Sequence, residues 1–334
     1  MKIRQLYRCI INRRDVWDYY NSNIIAPVLT DYKDCGRFIT NFIKCSEKSN
    51  TSLYRNIKKL EENSPQRLSH IVSTFFLGLW LFHNKQTSFI RRSITDKLKM
   101  LDCFHEDSKE IDRQFSYIWF MASLFHDLGY PAEDCEEGKE LPSVFIPYVK
   151  SVPLFYNDVY DLYYNYRKKK EHGIFAGLAF DNDLCEIRRL KEGTNEMGLS
   201  WRVELEDLYH YVAWIILAHN IWMIRKDKAD EETLAKYHDA GLDDLILQLD
   251  KESLNVDYKI DFDNFPLFTL FCIVDTIEPL KSSSCLSDID IQLKLGKIII
   301  ESNDSVYLRK IKGLNDWLTP TIEDKDRIII NLKM

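Results

Sequence analysis

The sequence predicts a mainly α-helical protein, a bundle of helices with a small α+β element at its C-terminal end. Three observations lead there. Apolar residues recur in dense runs at 71–82, 117–125 and 265–274, with polar residues on either side. Helix start and stop signals flank those runs: Ser64-Pro65 before the first, Gly129 and Pro131 after the second, Phe265-Pro266 before the third. The pattern changes only at the end, where IDIQLKLGKIIIES and RIIINLKM read as short strands and SVYLRKIKGLNDWL as a helix.

In chain order, residues 1–62 hold amphipathic segments and are expected to form an N-terminal helical segment packed on the core. The first bundle helix has Ser64 as N-cap and Pro65 as its first residue, and runs to about Asn84. A second runs from about Asp112 to Leu128, with Gly129 at the C′ position. Residues 132–157 are rich in proline and acidic groups and read as an insertion or lid. Further helices are expected over about 156–180 and 204–225, separated by a loop near 191–200. Residues 226–258 are charged and read as surface. Phe265-Pro266 opens the last strongly apolar helix, which ends at Pro279. On this reading 63–284 is the main domain and 285–334 a small α+β appendage.

The 334 residues suffice for a large core, and 45% hydrophobic with 29% charged residues is ordinary for a globular chain. A net charge of -7 does not point to a nucleic-acid backbone as partner. It leaves room for a small anionic substrate, since a metal and a few local cations can override the global field. The eight cysteines include no C-x-x-C pair and read as scattered reduced thiols of a cytoplasmic protein. The N-terminus has no signal-peptide h-region, and the apolar runs are too short to span a bilayer. The aromatic stretch at 151–166 is either core or the face of a homo-oligomer.

The chemistry lies in ionisable residues set inside apolar helices. Asp275 sits in FPLFTLFCIVDTIEP, where an unpaired carboxylate is costly; a core Asp satisfied by its neighbours is the plainer alternative. His126 and Asp127 close the apolar helix YIWFMASLFHDLGYP, and an imidazole with a carboxylate suits Mn, Fe, Co, Ni or Mg. A second His-Asp pair, His238-Asp239, lies in a polar stretch and reads as solvated surface. His70, His172 and His219 each sit within or beside an apolar helical face. Singly, each is more often a core histidine than a ligand. His210 and His83 are out of helical phase with His219 and His70, and His105 lies in a polar loop.

The order His70, His126-Asp127, Asp275 resembles the H…HD…D pattern of the HD-domain superfamily of metal-dependent phosphohydrolases. ASLFHDLGYP resembles that family's helix-ending His-Asp segment, and IVDTIEP its last metal-binding helix. The resemblance covers roughly residues 64–280. It implies an HD-type helical bundle with His70, His126, Asp127 and Asp275 on one divalent metal. His172 and His219 fit the two further histidines of binuclear phosphodiesterases, which implies a second metal bridged by Asp127. Asn220 departs from the family, some binuclear members having His-His there, and the 132–157 insertion and the strand-bearing tail are not part of the common core.

The expected activity is hydrolysis of a small phosphorylated substrate, a nucleotide or phosphodiester, by a metal-activated water. Arg67, three residues before His70, could reach a phosphate, with a surface arginine as the alternative. Lys168, Lys169 and Lys170 could line an entrance or be a solvated face. Glu278, three residues after Asp275, could act behind the ligands or in proton transfer. The alternatives are a mononuclear nucleotidase or deoxynucleotide triphosphohydrolase, with His172 and His219 on substrate, and a non-catalytic nucleotide-binding module. Phosphate-loop, dinucleotide-binding, zincin and serine-hydrolase motifs are absent from the sequence.

Overall fold

The computed structural model describes residues 59–60, 62, 64–100, 108–133, 172–193, 202–220, 262–263, 265–281, 288–316, 321–324 and 327–332. Nearly all of the 1–62 segment, the insertion from 134 onward, the 151–166 stretch, Lys168–Lys170, His105 and His238 lie outside these residues.

The described chain is mostly helical. Five helices build the bundle: α1 (Pro65–His83), α3 (Ser108–Phe125), α5 (His172–Lys191), α6 (Leu205–Ala218) and α7 (Pro266–Ile277). α2 (Ser88–Leu98) follows α1 through a 3-10 turn at Lys85–Thr87, and α4 (Tyr130–Glu133) is a single turn after α3. Among the described residues no helix is long and apolar enough to cross a membrane. The long apolar runs instead bury themselves in one another. Every residue of α7 is buried, as expected for a helix apolar on all sides.

Aromatic contacts tie α1, α3 and α7 together. The rings of Phe82 and Phe115 stack with centroids 3.4 Å apart, and Trp119 packs on Phe271 at 5.4 Å. The Trp119 indole N–H is satisfied by the Phe75 carbonyl at 3.0 Å. α5 and α6 pack closely because α5 presents glycines. A Cβ on Gly177 would lie 2.6 Å from the Ala213 carbonyl oxygen, and one on Gly173 would lie 2.9 Å from the His219 ring.

Boundaries follow the expected stops with instructive differences. Pro65 does occupy the first turn of α1, but the Ser64 side chain makes no capping hydrogen bond. α3 ends at Phe125, so His126 to Gly129 form a turn rather than its last helical turn. Gly129 is not a left-handed C′ residue; the positive-φ glycines among the described residues are Gly193 and Gly296. Gly129 is small for another reason: a Cβ there would come within 1.9 Å of the His172 carbonyl oxygen. α6 likewise stops at Ala218, which leaves His219 and Asn220 in a turn.

The tail is a four-stranded antiparallel sheet with a helix. β1 (Ile289–Lys294) and β2 (Lys297–Ser302) form a hairpin, turned at Leu295-Gly296 with Gly296 at φ 70°. Helix α8 (Ser305–Lys312) is capped by Asp304, whose Oδ1 accepts from the backbone of Val306 and Tyr307. β3 (Thr321–Asp324) and β4 (Ile328–Asn331) complete the order β1-β2-β4-β3. β3, a short polar TIED segment, was not expected from the sequence. The tail is not set apart from the bundle. Its buried isoleucines join the same hydrophobic core, Gly296 N–H donates to the Gln86 carbonyl at 3.1 Å, and Tyr307 Oη donates to the Ile277 carbonyl at 2.5 Å.

Candidate metal centre

Helix ends converge at one buried point. His70 comes from the first turns of α1, His126 and Asp127 from the turn after α3, His172 from the start of α5, His219 and Asn220 from the turn after α6, and Asp275 from the last turn of α7. All seven side chains are buried. Ending α3 and α6 just before their histidines frees the local backbone from helical phase. Neighbouring side chains such as His126 and Asp127 can then face the same point.

Hydrogen bonds fix three of the imidazoles in one tautomer. His70 Nδ1–H donates to Glu278 Oε2 at 2.6 Å. His126 Nδ1–H donates to the Ser123 carbonyl at 2.7 Å, and His219 Nδ1–H to the Ile216 carbonyl at 2.6 Å. Each acceptor can only accept, so each Nδ1 must carry a proton, and a ring that is neutral turns a bare Nε2 lone pair inward; His70, whose Nε2 also bonds Asp275, presents that lone pair only after losing a proton. These lone pairs meet each other and the carboxylates. His70 Nε2 lies 3.2 Å from His126 Nε2 and 2.9 Å from Asp275 Oδ1, which is itself 3.2 Å from His126 Nε2. Asp127 Oδ1 lies 3.1 Å from His126 Nε2 and 3.4 Å from His172 Nε2.

Such a set of acceptors fits a cation. Both Asp127 oxygens are buried, and neither accepts a hydrogen bond of regular geometry. Of the three groups among the described residues whose ligand atoms lie close enough to hold an ion, two are here: His70, His126 and Asp275, and His126, Asp127 and His219; the third, Asp181, Cys185 and His210, lies elsewhere. Imidazole nitrogen with carboxylate oxygen is a donor set for first-row divalent metals. Anchoring of the distal ring nitrogen is the usual second layer of such sites.

Charge is distributed to match. Burial pushes the Asp127 carboxyl up, but His126, Lys281 and His70 outweigh it and hold the group well below the usual carboxylate range. Asp275 behaves alike: burial opposes ionisation, and Lys281, His126 and His70 enforce it. For His70, burial and Lys281 favour the neutral ring, yet the bonds to Asp275 and Glu278 win and raise its pKa. Burial, with His126 and His172 adding to it, takes His219 down to about 3, so that ring is neutral.

The six expected ligands therefore come together, though not equivalently. His172 stands outside both ligand groups. The Asn220 amide Nδ2 lies 3.1 Å from its Nε2 and 3.0 Å from that of His219. The Tyr130 ring stacks on His172 at 3.8 Å, and the Arg67 guanidinium sits 3.1 Å above the centre of the Tyr130 ring. Arg67 Nη1 lies 3.7 Å from Asp127 Oδ2, at the rim of the site. Glu278 is fully engaged, accepting from His70, from Ser73 Oγ at 2.5 Å and from the Leu280 and Lys281 backbone. That position suits orienting His70 better than shuttling protons.

Sequence reasoning missed Lys281. Its Nζ donates to both oxygens of Asp275 at 2.9 and 3.0 Å. It lies past the helix end, in a 3-10 turn at Pro279–Lys281, where helical periodicity carries no signal. His210, out of phase with His219, bonds Asp181 Oδ1 through Nδ1 at 2.5 Å, away from the centre. His83 packs edge-on against the stacked rings of Phe82 and Phe115. Comparison with protein-family models, with curated proteins and with solved structures found no match.

Proposed function

We propose that this chain is a metal-dependent phosphohydrolase of the HD type, acting on a nucleotide or phosphodiester. One observation carries the reading: His70, His126 and His219 each spend Nδ1–H on an outward acceptor and aim Nε2 at Asp127 and Asp275. Lys281 bonds Asp275 and Arg67 comes no nearer to Asp127 than 3.7 Å, so inward imidazole nitrogens and two ionised carboxylates make a site that a divalent cation would stabilise. His70, His126, Asp127 and Asp275 would hold one divalent ion, with Asp127 shared toward a second at His219 and His172. A bound divalent metal supplies an activated water at neutral pH and neutralises phosphate charge.

The chain's own groups do the rest. Glu278 and the Ser123 and Ile216 carbonyls hold the rings in their donor tautomer. Lys281 and Arg67 present cations to the non-bridging phosphate oxygens. The buried walls exclude bulk water, which strengthens these interactions.

Asn220 favours a second reading, a mononuclear nucleotidase or deoxynucleotide triphosphohydrolase. Its amide already occupies His172 Nε2 and His219 Nε2, which would then face substrate. Elemental analysis of protein purified without chelator tests both. Near two metals per chain supports the binuclear reading, and near one supports the mononuclear reading. No metal after incubation with Mn, Fe or Ni removes the hydrolase and leaves a binding module.

A further inference from the structure

We propose that Asp181, Cys185 and His210 form a second metal site, apart from the His/Asp centre, that takes zinc and clamps α5 to α6. The proposal stands independently of the hydrolase reading.

The site lies on the face where the two helices meet. Gly173, Gly177, Asp181 and Cys185 follow one another at intervals of four residues, so they form one stripe along α5. That stripe faces α6: a Cβ on Gly173 would touch the His219 ring, and one on Gly177 the Ala213 carbonyl. Asp181, eight residues beyond Gly173, is carried about 12 Å along the helix axis, away from His219. His210, one turn before Ala213 on α6, meets it there, with Nδ1 2.5 Å from Asp181 Oδ1. Asp181 and Cys185 are buried and His210 is half-buried, which leaves an ion a way in. One ligand atom from each of the three lies within 4.8 Å of the other two.

The donor set selects the metal. A carboxylate, a thiolate and an imidazole supply three ligands of a zinc site, with water in the fourth place. Metal bonds of about 2.0–2.3 Å in a tetrahedron hold ligand atoms about 3.3–3.8 Å apart, so the His210–Asp181 contact has to open by only about 1 Å. A His–Asp pair alone would be an ordinary ion pair. The free, buried thiol of Cys185, one turn from Asp181, brings the third donor. Burial, Asp181 and Glu206 push that thiol's pKa up, against Arg189 and Arg188, so it is no ready nucleophile. Zinc displaces the thiol proton and the proton between His210 and Asp181, and both pass to solvent. Glu206, on the same side of α6, is engaged already, accepting from Arg188 Nε at 2.6 Å. The expected ligands of the His/Asp centre are nitrogen and oxygen alone, so sulfur separates the two sites chemically. An ion here would hold the α5–α6 spacing that sets the His172 and His219 rings 5.2 Å apart.

Cobalt(II) titration of the reduced, chelator-stripped full chain, followed by absorption, tests this. A cobalt–thiolate bond gives a sulfur-to-metal charge-transfer band in the near ultraviolet, which a sulfur-free His/Asp centre does not produce. Wild type is expected to develop the band, and zinc to abolish it by displacement. Cys185→Ser should lack it. His210→Gln and Asp181→Asn keep the thiol, and each should need at least about tenfold more free cobalt to reach half-saturation of the band, the scale on which even outer partners of metal ligands act. Circular dichroism should match wild type. A wild type without the band, a band that persists in Cys185→Ser, or unchanged midpoints in His210→Gln and Asp181→Asn overturns the proposal. If Cys185→Ser fails to fold, the other two variants decide. Hydrolysis without the band refutes this site and leaves the hydrolase; the band in a protein that hydrolyses nothing does the reverse.

Discussion

Asp127 is the residue on which the centre depends most. Its buried oxygens accept no regular hydrogen bond, but His126, Lys281 and His70 hold it ionised, so its removal takes away both an expected ligand and the counter-charge of these groups. Asp127→Ala should therefore abolish hydrolysis and lower metal content with helical circular dichroism retained, and the chelated variant should melt below chelated wild type. A melt equal to that of chelated wild type would show that the carboxylate carries no weight in the metal-free fold. His238→Ala, in the polar His-Asp pair, should leave activity untouched. Glu278→Gln keeps the shape of the group but weakens the hold on His70 Nδ1 at 2.6 Å. Metal affinity by competitive chelation should fall about 10- to 100-fold with all six ligands present. The raised pKa of His70 sets a pH dependence. Metal must displace a proton from this ring, so affinity should rise with pH until the raised value is passed. In chelated protein the sign is opposite for stability. The stabilisation from a charged His70 is complete below about 6.5, the unfolded value, and fades as pH rises through the folded one. Thermal melts of chelated protein from pH 6 to 9 should decline, and those of His70→Gln should decline less. The buried cluster of histidines and aspartates was legible in the sequence because an ionisable group inside an apolar helix is conspicuous. Lys281 was not, since one lysine after a helix end resembles any surface lysine.

At the scale of elements, the spacing of helices is set by what glycine permits. Gly129 lies against the His172 carbonyl, where a methyl would meet oxygen at 1.9 Å. Gly129→Ala must push α5 from the turn that carries His126 and Asp127, at a cost of about 1–3 kcal/mol. Denaturant unfolding should register that loss, and metal content should fall with it, as His172 and His219 move together through the α5–α6 contact. Helix positions were readable because apolar period and proline starts agree, as at Pro65 and Pro266. The ends were less so. α3 and α6 stop short of the expected bounds because their final residues are recruited to the centre, a tertiary demand that no local pattern records. β3 escaped notice for a similar reason: TIED has little strand character and pairs because β4 offers it an edge.

For the whole molecule, the tail and the bundle share one core. Ile291, Ile300, Tyr307, Ile328 and Ile330 of the tail pack in the same cluster as the residues around α7. Calorimetry should therefore give one cooperative transition, and removing residues 285–334 should destabilise the bundle rather than release an independent unit. Tyr307→Phe leaves the Ile277 carbonyl unpaired and should cost about 1–3 kcal/mol. Apart from β3, the strands and the helix of the tail were expected from its sequence; the packing of that helix against the end of α7 through Tyr307 was not, because a short helix does not reveal what it faces. The convergence of ligands from five separate chain segments has a further consequence, for chain topology. His70 and Asp275 are 205 residues apart in sequence and 2.9 Å apart in space. An ion held among them would act as a cross-link closing several loops at once, and the entropy of closing a loop grows only slowly with its length. The centre can assemble only after the distant helices have met, so the ion should slow unfolding more than it speeds folding.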